Sequence, residues 1–320
     1  MVLTGFIFKQ LFKFVLLILF MPEKIKITFL GTSDSVPSAR RSHTAVLLTY
    51  NGENILIDCG EGTQRQFRKA KLNPCRITRI LLTHKHADHS LGLVGLLKTL
   101  ALTGYNKTLY IYGPRGTKEF MENFFRTFGK IEEYKIEISE VSGKFLDEKD
   151  FYLEAKSMTH GVPCNAYSFV KKGQVRIDKE KLKKFKIPST KELKKLKEGK
   201  DIIHNGKKYS AKQLTFGEDD RKITLIYDTA MNENAITLSK NSDLLVCEAT
   251  YSDEINEIAR DFQHLTARQT AEIAKKAGVK RLILTHISQR YENDMNKILD
   301  EAKKIFKSTE LVKDFDVVEV

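Results

Sequence analysis

The sequence predicts an α/β protein, and three of its features lead to that prediction. Short apolar segments with strand periodicity alternate with helical stripes along most of the chain. The 320 residues, of which 41% are hydrophobic and 30% charged, can bury one large α/β core or two small ones. A histidine-rich motif stands directly after one predicted strand, where α/β folds usually place their functional sites. We expect one domain over residues 22–320.

The first half of the chain predicts strands that are separated by turns and helices. Residues 25–30 alternate in polarity, and Asn51-Gly52 is a strong hairpin signal between the next two strands. The predicted strands are 25–30, 45–50, 54–58, 79–83, 108–112, 132–139, 151–157 and 166–170. The predicted helices are one that follows Gln64 and ends at about Ala70, one over 90–100 and one over about 117–127.

The same alternation resumes after residue 212. Thr266 and Gln269 form a capping box for a helix that ends at Ala277, directly before Gly278. An apolar stripe between Met295 and Phe306 predicts the last helix. The predicted strands in this half are 223–227, 243–247, 281–285 and 315–319.

Residues 1–21 form an apolar N-terminal extension that we expect to lie outside the fold. Its uninterrupted apolar run, residues 14–20, is short for a membrane span of about 20 residues. No small-residue cleavage site follows it. We expect translation to start at Met21, with a membrane-associated tail as the alternative, and no stable membrane association unless the extension is genuine. The four cysteines have no paired spacing, which favours a reducing, cytoplasmic setting.

The positive charge of the chain is concentrated in one segment. The net charge is +13, and residues 171–212 contain 16 Lys and Arg against 5 Asp and Glu, a net of +11. The remaining residues contain 38 against 36, a net of only +2. The segment has too little apolar content for a separate core, so we interpret it as a basic arm that protrudes from the domain. It is either a solvated charged insertion or, as we expect, a contact surface for a phosphate backbone.

The motif His84-x-His86-x-Asp88-His89 predicts a metal site. Imidazole and carboxylate together suit a divalent ion such as zinc. Alternate residues of an extended segment point the same way, so His84 and His86 can bind one ion. Asp88 and His89, past the turn, can face a second ion. A chance cluster of surface histidines is the alternative.

Three further candidate ligands, His160, Asp228 and His286, each follow a predicted strand. Alone, a histidine or aspartate in such a position is more often a hydrogen-bonding cap. Because the ends of neighbouring strands meet at one edge of a sheet, we expect all of them to cluster with the histidine motif.

The chain resembles the metallo-β-lactamase superfamily and, within it, the tRNA 3′-end-processing endonucleases of the tRNase Z (ribonuclease Z) family. The histidine motif is similar to that of the whole superfamily, whereas several other motifs are narrower matches. These are Asp58-Cys59-Gly60-Glu61-Gly62-Thr63-Gln64, Tyr112-Gly113-Pro114, Glu248-Ala249-Thr250, His264-Leu265-Thr266-Ala267 and Thr285-His286-Ile287-Ser288-Gln289-Arg290-Tyr291.

The resemblance implies a four-layer αβ/βα sandwich with two zinc ions in each subunit, although the same ligands could take manganese or iron. His84, His86 and His160 would hold one ion, Asp88, His89 and His286 the other, and Asp228 would bridge both. The implied reaction is hydroxide attack on a phosphodiester of precursor tRNA, which removes the 3′ trailer and leaves a 3′-hydroxyl on the tRNA. Asp88 would orient the attacking oxygen and take its proton.

The resemblance also assigns an acid and several substrate contacts. His264, steered by Glu248, would protonate the departing 3′ oxygen; the alternative is that His264 only helps to start a helix. Arg290 would stabilise charge on the phosphate, although a surface salt bridge explains it equally well. The implied enzyme is a homodimer in which the arm of one subunit presents tRNA to the partner's site, and the candidate lysines are Lys183, Lys184, Lys194 and Lys195.

Two departures from the family pattern concern residues that are not ligands: Cys247 stands where the family usually has a histidine, and Tyr227 stands where a small residue commonly precedes the bridging aspartate. A third is Arg40-Arg41, which stands where the family often has Arg-Asn in a loop that senses the mature CCA end. Three other interpretations remain open. They are a hydrolase of small phosphodiesters or thioesters, an RNA exonuclease of the β-CASP branch, and a non-catalytic RNA-binding module.

Overall fold

Two seven-stranded sheets face each other at the centre of the structure, a computed structural model that describes residues 24–320. The prediction for residues 1–21 therefore lies outside the described residues. The first sheet has the order β18-β1-β2-β3-β4-β5-β6, and the second has the order β17-β16-β15-β14-β9-β8-β7. The strands of the first sheet are β1 (Lys26–Gly31), β2 (Ala45–Tyr50), β3 (Glu53–Ile57), β4 (Arg79–Leu81), β5 (Leu109–Gly113), β6 (Ile136–Glu140) and β18 (Val317–Glu319). Those of the second are β7 (Gly143–Asp147), β8 (Phe151–Met158), β9 (Cys164–Lys171), β14 (Arg221–Ile226), β15 (Leu244–Glu248), β16 (Leu282–Thr285) and β17 (Thr309–Leu311).

Helices cover the outer face of each sheet. Those on the first sheet are α1 (Thr63–Lys69), α2 (Ala87–Ser90), α3 (Leu93–Leu102) and α4 (Thr117–Phe128). Those that follow the strands of the second sheet are α8 (Glu233–Ser239), α9 (Asn256–Asp261), α10 (Ala267–Ala277) and α11 (Asn296–Lys303). Short 3₁₀ turns lie at Pro74–Arg76, Asp253–Ile255 and Gln289–Tyr291. No helix within residues 24–320 is long and apolar enough to cross a membrane.

Successive side chains of a strand point to opposite faces of its sheet, so each sheet packs against a different core on each face. This arrangement confirms the four-layer prediction. On β2, Val46 and Leu48 pack into the core between the sheets, whereas Ala45 and Leu47 pack under the helices of the first sheet. On β16, Ile283 faces the other sheet, and its neighbours Leu282 and Leu284 face the helices. Helix, sheet, sheet and helix therefore follow one another across the molecule.

Most predicted elements are present, with one difference close to the histidine motif. The predicted helix 90–100 is divided into α2 and α3, and Gly92 lies between them. A Cβ atom on Gly92 would stand 2.0 Å from the carbonyl oxygen of Gly60. Only glycine allows this close approach. It packs the start of α3 directly onto the turn after β3.

Residues 175–217, here called the arm, overlap the segment 171–212 for which a basic arm was predicted, and they contain a small core of their own. The elements of the arm are β10 (Val175–Ile177), α5 (Lys179–Lys184), a 3₁₀ turn (Lys191–Leu193), α6 (Lys194–Lys197), β11 (Ile202–His204), β12 (Lys207–Tyr209), α7 (Ala211–Leu214) and β13 (Thr215–Gly217). The expectation of too little apolar content for a separate core is wrong. Its eight buried members are Leu182, Ile187, Leu193, Leu196, Ile202, Tyr209, Ala211 and Leu214. None of them belongs to the other three clusters of the described residues.

Candidate active site

The histidine motif begins where β4 ends. His86 has extended backbone, with φ −62° and ψ 153°, and is the N-cap residue of the short helix α2. Because the backbone changes from extended to helical at this residue, the side chains before and after it point in different directions. His84 and His86 precede the helix, and Asp88 and His89 lie within it.

The other three candidate ligands follow strands of the second sheet. His160 follows β8, Asp228 follows β14 and His286 follows β16, and these strands run in the same direction. The expectation that every ligand lies at the edge of one sheet is wrong, because β4 belongs to the first sheet. The candidate site is formed where the edges of the two sheets meet.

The first group of candidate ligands comprises His84, His86, His160 and Asp228. Nδ1 of His86 lies 3.0 Å from Nε2 of His84 and 3.2 Å from Nε2 of His160. Oδ2 of Asp228 lies 3.5 Å from Nε2 of His84 and 3.8 Å from Nε2 of His160. Two atoms that bind one zinc ion tetrahedrally at about 2.0–2.1 Å are about 3.3 Å apart. The spacing fits one metal ion.

The second group comprises Asp88, His89, His286 and again Asp228. Nε2 of His89 lies 3.2 Å from Oδ2 of Asp88 and 3.3 Å from Nε2 of His286. Oδ1 of Asp228 lies 3.3 Å from Nε2 of His89 and 3.2 Å from Nε2 of His286. All four residues are buried. This spacing fits a second metal ion.

Asp228 joins the two groups because its oxygens face in different directions. Oδ2 faces the first group and Oδ1 faces the second. Oδ1 is buried and accepts no hydrogen bond, a costly state for a carboxylate oxygen. A metal ion in each group would satisfy both oxygens, and the imidazole and carboxylate ligands suit zinc, manganese or iron. The residues therefore fit a two-metal centre.

The residues that orient the candidate ligand rings were not among the predicted site residues. The carboxylate of Asp58, after β3, accepts hydrogen bonds from Nδ1 of His89 and from the backbone N–H and hydroxyl of Thr83, each at 2.7 Å. The hydroxyl of Thr250 lies 2.9 Å from Nδ1 of His286. Such partners of Nδ1 direct Nε2 towards the metal. The signal for Asp58 was its position directly after a strand, shared with His160, Asp228 and His286.

Asp58 and His286 also share an unusual backbone conformation. Their φ angles are 57° and 55°, in the left-handed region that residues other than glycine seldom occupy. Such strain, of order 1–3 kcal/mol for each residue, concentrates at functional sites. Here the strain lies on the candidate ligand His286 and on Asp58, which orients the ring of another candidate ligand.

The charges of the cluster shift the pKa values of its members. Burial opposes ionisation of Asp228, but His286 and His89 outweigh it and hold the pKa of the carboxyl well below its usual range. The pKa of Asp88 is lowered in the same way, because His89 and His286 outweigh the effect of burial. Burial and the neighbouring His89 lower the pKa of His84, which leaves a neutral ring that can bind a metal.

Glu248 and His264 form a pair beside the second group. Oε2 of Glu248 lies 3.0 Å from Nδ1 of His264, and Glu248 is fully buried. Oε1 of Glu248 accepts a hydrogen bond of 2.7 Å from the backbone N–H of Thr229. Burial disfavours the imidazolium, but the carboxylates of Glu248 and Asp228 outweigh it and raise the pKa of His264 to about 9. His264 is therefore charged and able to donate a proton at neutral pH.

The start of the neighbouring helix does not depend on the side chain of His264. Helix α10 begins at Ala267, and Thr266 and Gln269 form its capping box as predicted. Nε2 of His264 instead lies 3.9 Å from Oδ2 of Asp228. The alternative interpretation, that His264 only helps to start this helix, has no support in these contacts.

Arg290 lies near the acid pair and has no ion-pair partner among residues 24–320. Its guanidinium group stands 5.0 Å from the centre of the Tyr251 ring, and that ring is 5.9 Å from the ring of His264. A surface salt bridge therefore does not explain Arg290. In the arm, Lys183, Lys184, Lys194 and Lys195 are exposed. Two of them form local ion pairs, Lys183 with Glu180 and Lys195 with Glu192.

Arg41 has a structural position in the loop between β1 and β2. Its side chain is only 3% exposed, donates a 2.6 Å hydrogen bond to the carbonyl of Ile287 and pairs with Glu292 at 2.8 Å. The neighbouring Arg40 is exposed. Of the two arginines in this loop, only Arg40 is free to contact a substrate.

Comparisons with known proteins agree with this geometry. Residues 53–287 match the family model described as a β-lactamase superfamily domain. The chain is 37% identical to the ribonuclease Z of Nanoarchaeum equitans over 85% of this chain and 86% of that protein. It is also 37% identical to the ribonuclease Z of Listeria welshimeri over 92% of this chain and 99% of that one.

A solved structure gives the same result. The human tRNase Z short form superimposes with a TM-score of 0.65 and 28% identity, over 92% of this chain and 98% of that chain. Fold, candidate ligands and sequence relatives thus agree with one another. The chain belongs to the ribonuclease Z family of the β-lactamase superfamily.

Proposed function

We propose that the protein is a metal-dependent endoribonuclease that removes the 3′ trailer from precursor tRNA. The observation that carries the proposal is the pairing of two candidate metal groups with a separate acid, Glu248–His264, in a chain of this family. A hydrolase of small esters with acidic leaving groups needs no such acid. A non-catalytic RNA-binding module needs neither the acid nor the complete ligand set.

Two zinc ions would occupy the centre, one in each group, with Asp228 as the shared ligand; manganese or iron are the alternatives. When bound, such ions lower the pKa of water to about 7 and neutralise charge on the phosphate. Asp58, Thr83 and Thr250 would keep Nε2 of the ligand histidines directed at the ions.

Asp88 would orient the attacking water. Its pKa lies well below its usual range, so the carboxylate remains ionised and accepts a hydrogen bond from water at any physiological pH. One of its oxygens, Oδ2, faces His89 and His286. The water oxygen would form the new bond to phosphorus, and Asp88 would accept the proton that is released.

His264 would complete the reaction. As the bond between phosphorus and the 3′ oxygen breaks, the imidazolium transfers its proton to that oxygen, which leaves as the 3′-hydroxyl of the tRNA. The phosphate stays on the trailer. Glu248 keeps the ring oriented and charged.

The substrate assignment rests on the arm and the family. The positively charged arm would contact the phosphate backbone through Lys183, Lys184, Lys194 and Lys195, and Arg290 would contact the phosphate near the site. We further propose a homodimer in which each arm presents tRNA to the partner's site. All four cysteines are free, which supports a cytoplasmic location.

Cleavage of precursor tRNA by the purified, zinc-loaded protein tests the proposal. We expect one cut, which yields a tRNA with a 3′-hydroxyl and an intact trailer with a 5′-phosphate, mapped by sequencing both ends. His84→Ala should reduce the rate by about 10²-fold or more, because it removes a ligand of the first ion. Equal cleavage by His84→Ala, or hydrolysis of small esters alone, would contradict the proposal.

A further inference from the structure

A groove of about 700 Å³ begins beside the first metal group. Its lining includes His84 itself and the next residue, Lys85, and it continues along the start of α4 past Arg115, Lys118 and Phe120. A second cavity of about 330 Å³ shares Pro114, Arg115, Glu140 and Pro163 with it and extends the groove. Cavities of about 300–1,000 Å³ hold ligands of the size of a nucleotide.

The groove lies apart from the acid pair. Of the seven candidate ligands, only His84 contributes to its lining. Neither Glu248 nor His264 lines it, and neither do Tyr251 and Arg290, the residues that surround His264. The centre therefore has one flank with an acid and another flank with an open groove.

The chemistry of the groove suits single-stranded RNA. Lys85, Arg115 and Lys118 are exposed, and none of them forms an ion pair with another residue in the range 24–320. Phe120 is partly exposed and offers a ring on which a base can stack. Cations for phosphates beside an aromatic ring for bases are the usual combination in such sites.

Two features restrict how an anion could bind there. Glu140 already accepts the backbone N–H groups of Gly116 and Lys118 at the start of α4, so phosphates must contact side chains instead. Glu119 and Glu122 also line the groove, so net charge alone does not select the ligand. The ligand is instead indicated by the position of the groove, which lies next to the place where the reacting phosphate would bind.

The direction of the reaction decides which part of the RNA lies on each flank. His264 protonates the 3′ oxygen of the tRNA, so the end of the mature tRNA must lie beside His264. The phosphate remains on the trailer, which therefore continues away from the acid. We propose that the groove lined by Lys85, Arg115, Lys118 and Phe120 binds the first nucleotides of the 3′ trailer; this rests on the proposed function.

The test compares precursor tRNAs that differ only in trailer length. A trailer of one nucleotide contains only the reacting phosphate, whereas a trailer of six contains further phosphates that can reach the groove. In the double variant Arg115→Ala/Lys118→Ala, kcat/KM should fall about tenfold or more for the longer trailer only, because charged hydrogen bonds to its phosphates are lost. The matched control is Arg126→Ala/Lys130→Ala, which removes the same charge outside the groove and should leave both rates unchanged.

A second measurement locates the trailer directly. With 4-thiouridine at the second trailer position, irradiation of the complex should crosslink the RNA to the peptide that contains residues 114–120. Equal losses on both trailers, no loss on either, or a crosslink elsewhere would overturn the inference. If the unmodified protein cut neither substrate, the proposed function itself would fail, a result distinct from an altered dependence on trailer length.

Discussion

At the scale of single residues, Asp228 determines how the candidate centre is arranged. Its two oxygens lie within 3.2–3.8 Å of four histidine nitrogens. The same carboxylate helps to keep His264 protonated. In the proposed mechanism, one side chain thus connects the metal centre, which would activate the water, with the acid that would release the product.

Replacing His264 with alanine separates the acid from the rest of the centre. Cleavage of precursor tRNA should fall by about 10²–10⁴-fold, because a ribose 3′ oxygen is a poor leaving group without a proton. Hydrolysis of bis(p-nitrophenyl) phosphate, whose leaving group is acidic, should change little. Phe262→Ala, which truncates an exposed neighbour, serves as the control and should affect neither rate. Equal losses on the two substrates would mean that His264 has only a structural role.

The candidate metal ligands could be recognised in the sequence, and the residues that orient their rings could not. His84, His86, Asp88 and His89 share one motif, and each of the other three candidates follows a strand; these are His160, Asp228 and His286. The pairing of Asp58 with His89 depends on which ring nitrogen points away from the metal groups. That orientation is fixed by side-chain packing, and no sequence spacing reveals it.

At the scale of elements, the loop between β1 and β2 is fastened to the segment that follows β16. The buried Arg41 pairs with Glu292, and the hydroxyl of Ser38 donates a 3.1 Å hydrogen bond to the same carboxylate. These contacts tie the first sheet to the second, next to the candidate ligand His286. We expect the contribution of these contacts to the free energy of unfolding to depend on pH.

Glu292→Gln tests the connection. Burial alone would raise the pKa of Glu292, but Arg41 and Ser38 outweigh it and lower the pKa below its usual value. The stabilisation is therefore complete above about pH 4.3, the usual glutamate pKa, and is lost as the pH falls through the lower folded-state value. Urea unfolding at pH 7 should show a loss of about 1–2 kcal/mol, and the difference from the unmodified protein should shrink in acid.

Glu310→Gln provides the matched control, because its partner Arg281 is more exposed and the pair lies at the surface. Its effect on the free energy of unfolding should be within about 0–1 kcal/mol at either pH. If Glu292→Gln lowered the free energy of unfolding by the same amount at every pH, packing and not charge would hold the loop in place.

Strands with regular alternation were predictable, and two short strands of the seven-stranded sheets, β7 and β17, were not. Strand β7 pairs with β8 through a bulge between Lys144 and Leu146, which interrupts the alternation of its side chains. Strand β17 has only three residues, with a single large apolar side chain, Leu311. Pairing with β16 places it in the sheet, and such a partner is invisible in a local pattern.

At the scale of the whole molecule, the arm is inserted into a hairpin of the second sheet. Lys171 at the end of β9 lies directly opposite Arg221 at the start of β14. The backbone N–H of Glu218 donates to the carbonyl of Gln174, which closes the base of the arm. The eight apolar residues of its core are dispersed among many lysines, so the sequence pattern concealed them.

Replacing residues 175–217 with an Asn-Gly turn removes the arm without disturbing the other cores. Precursor tRNA should bind at least about tenfold more weakly and with a flatter dependence on salt, because phosphate contacts are lost. Hydrolysis of a small phosphodiester should be preserved. The milder variant Lys184→Ala/Lys194→Ala keeps the fold of the arm and should reduce the salt slope by about two. Equal loss on both substrates would contradict the role proposed for the arm.

The arm can change in length and sequence during evolution because it joins two paired strands of one sheet, β9 and β14. Because the two ends of the arm are neighbours in one sheet, its length and composition can change without moving β9 relative to β14. The candidate ligand Asp228, just beyond β14, is therefore insulated from insertions and deletions in the arm. If the arm binds RNA as proposed, selection can change which RNAs it binds without changing the geometry of the candidate centre.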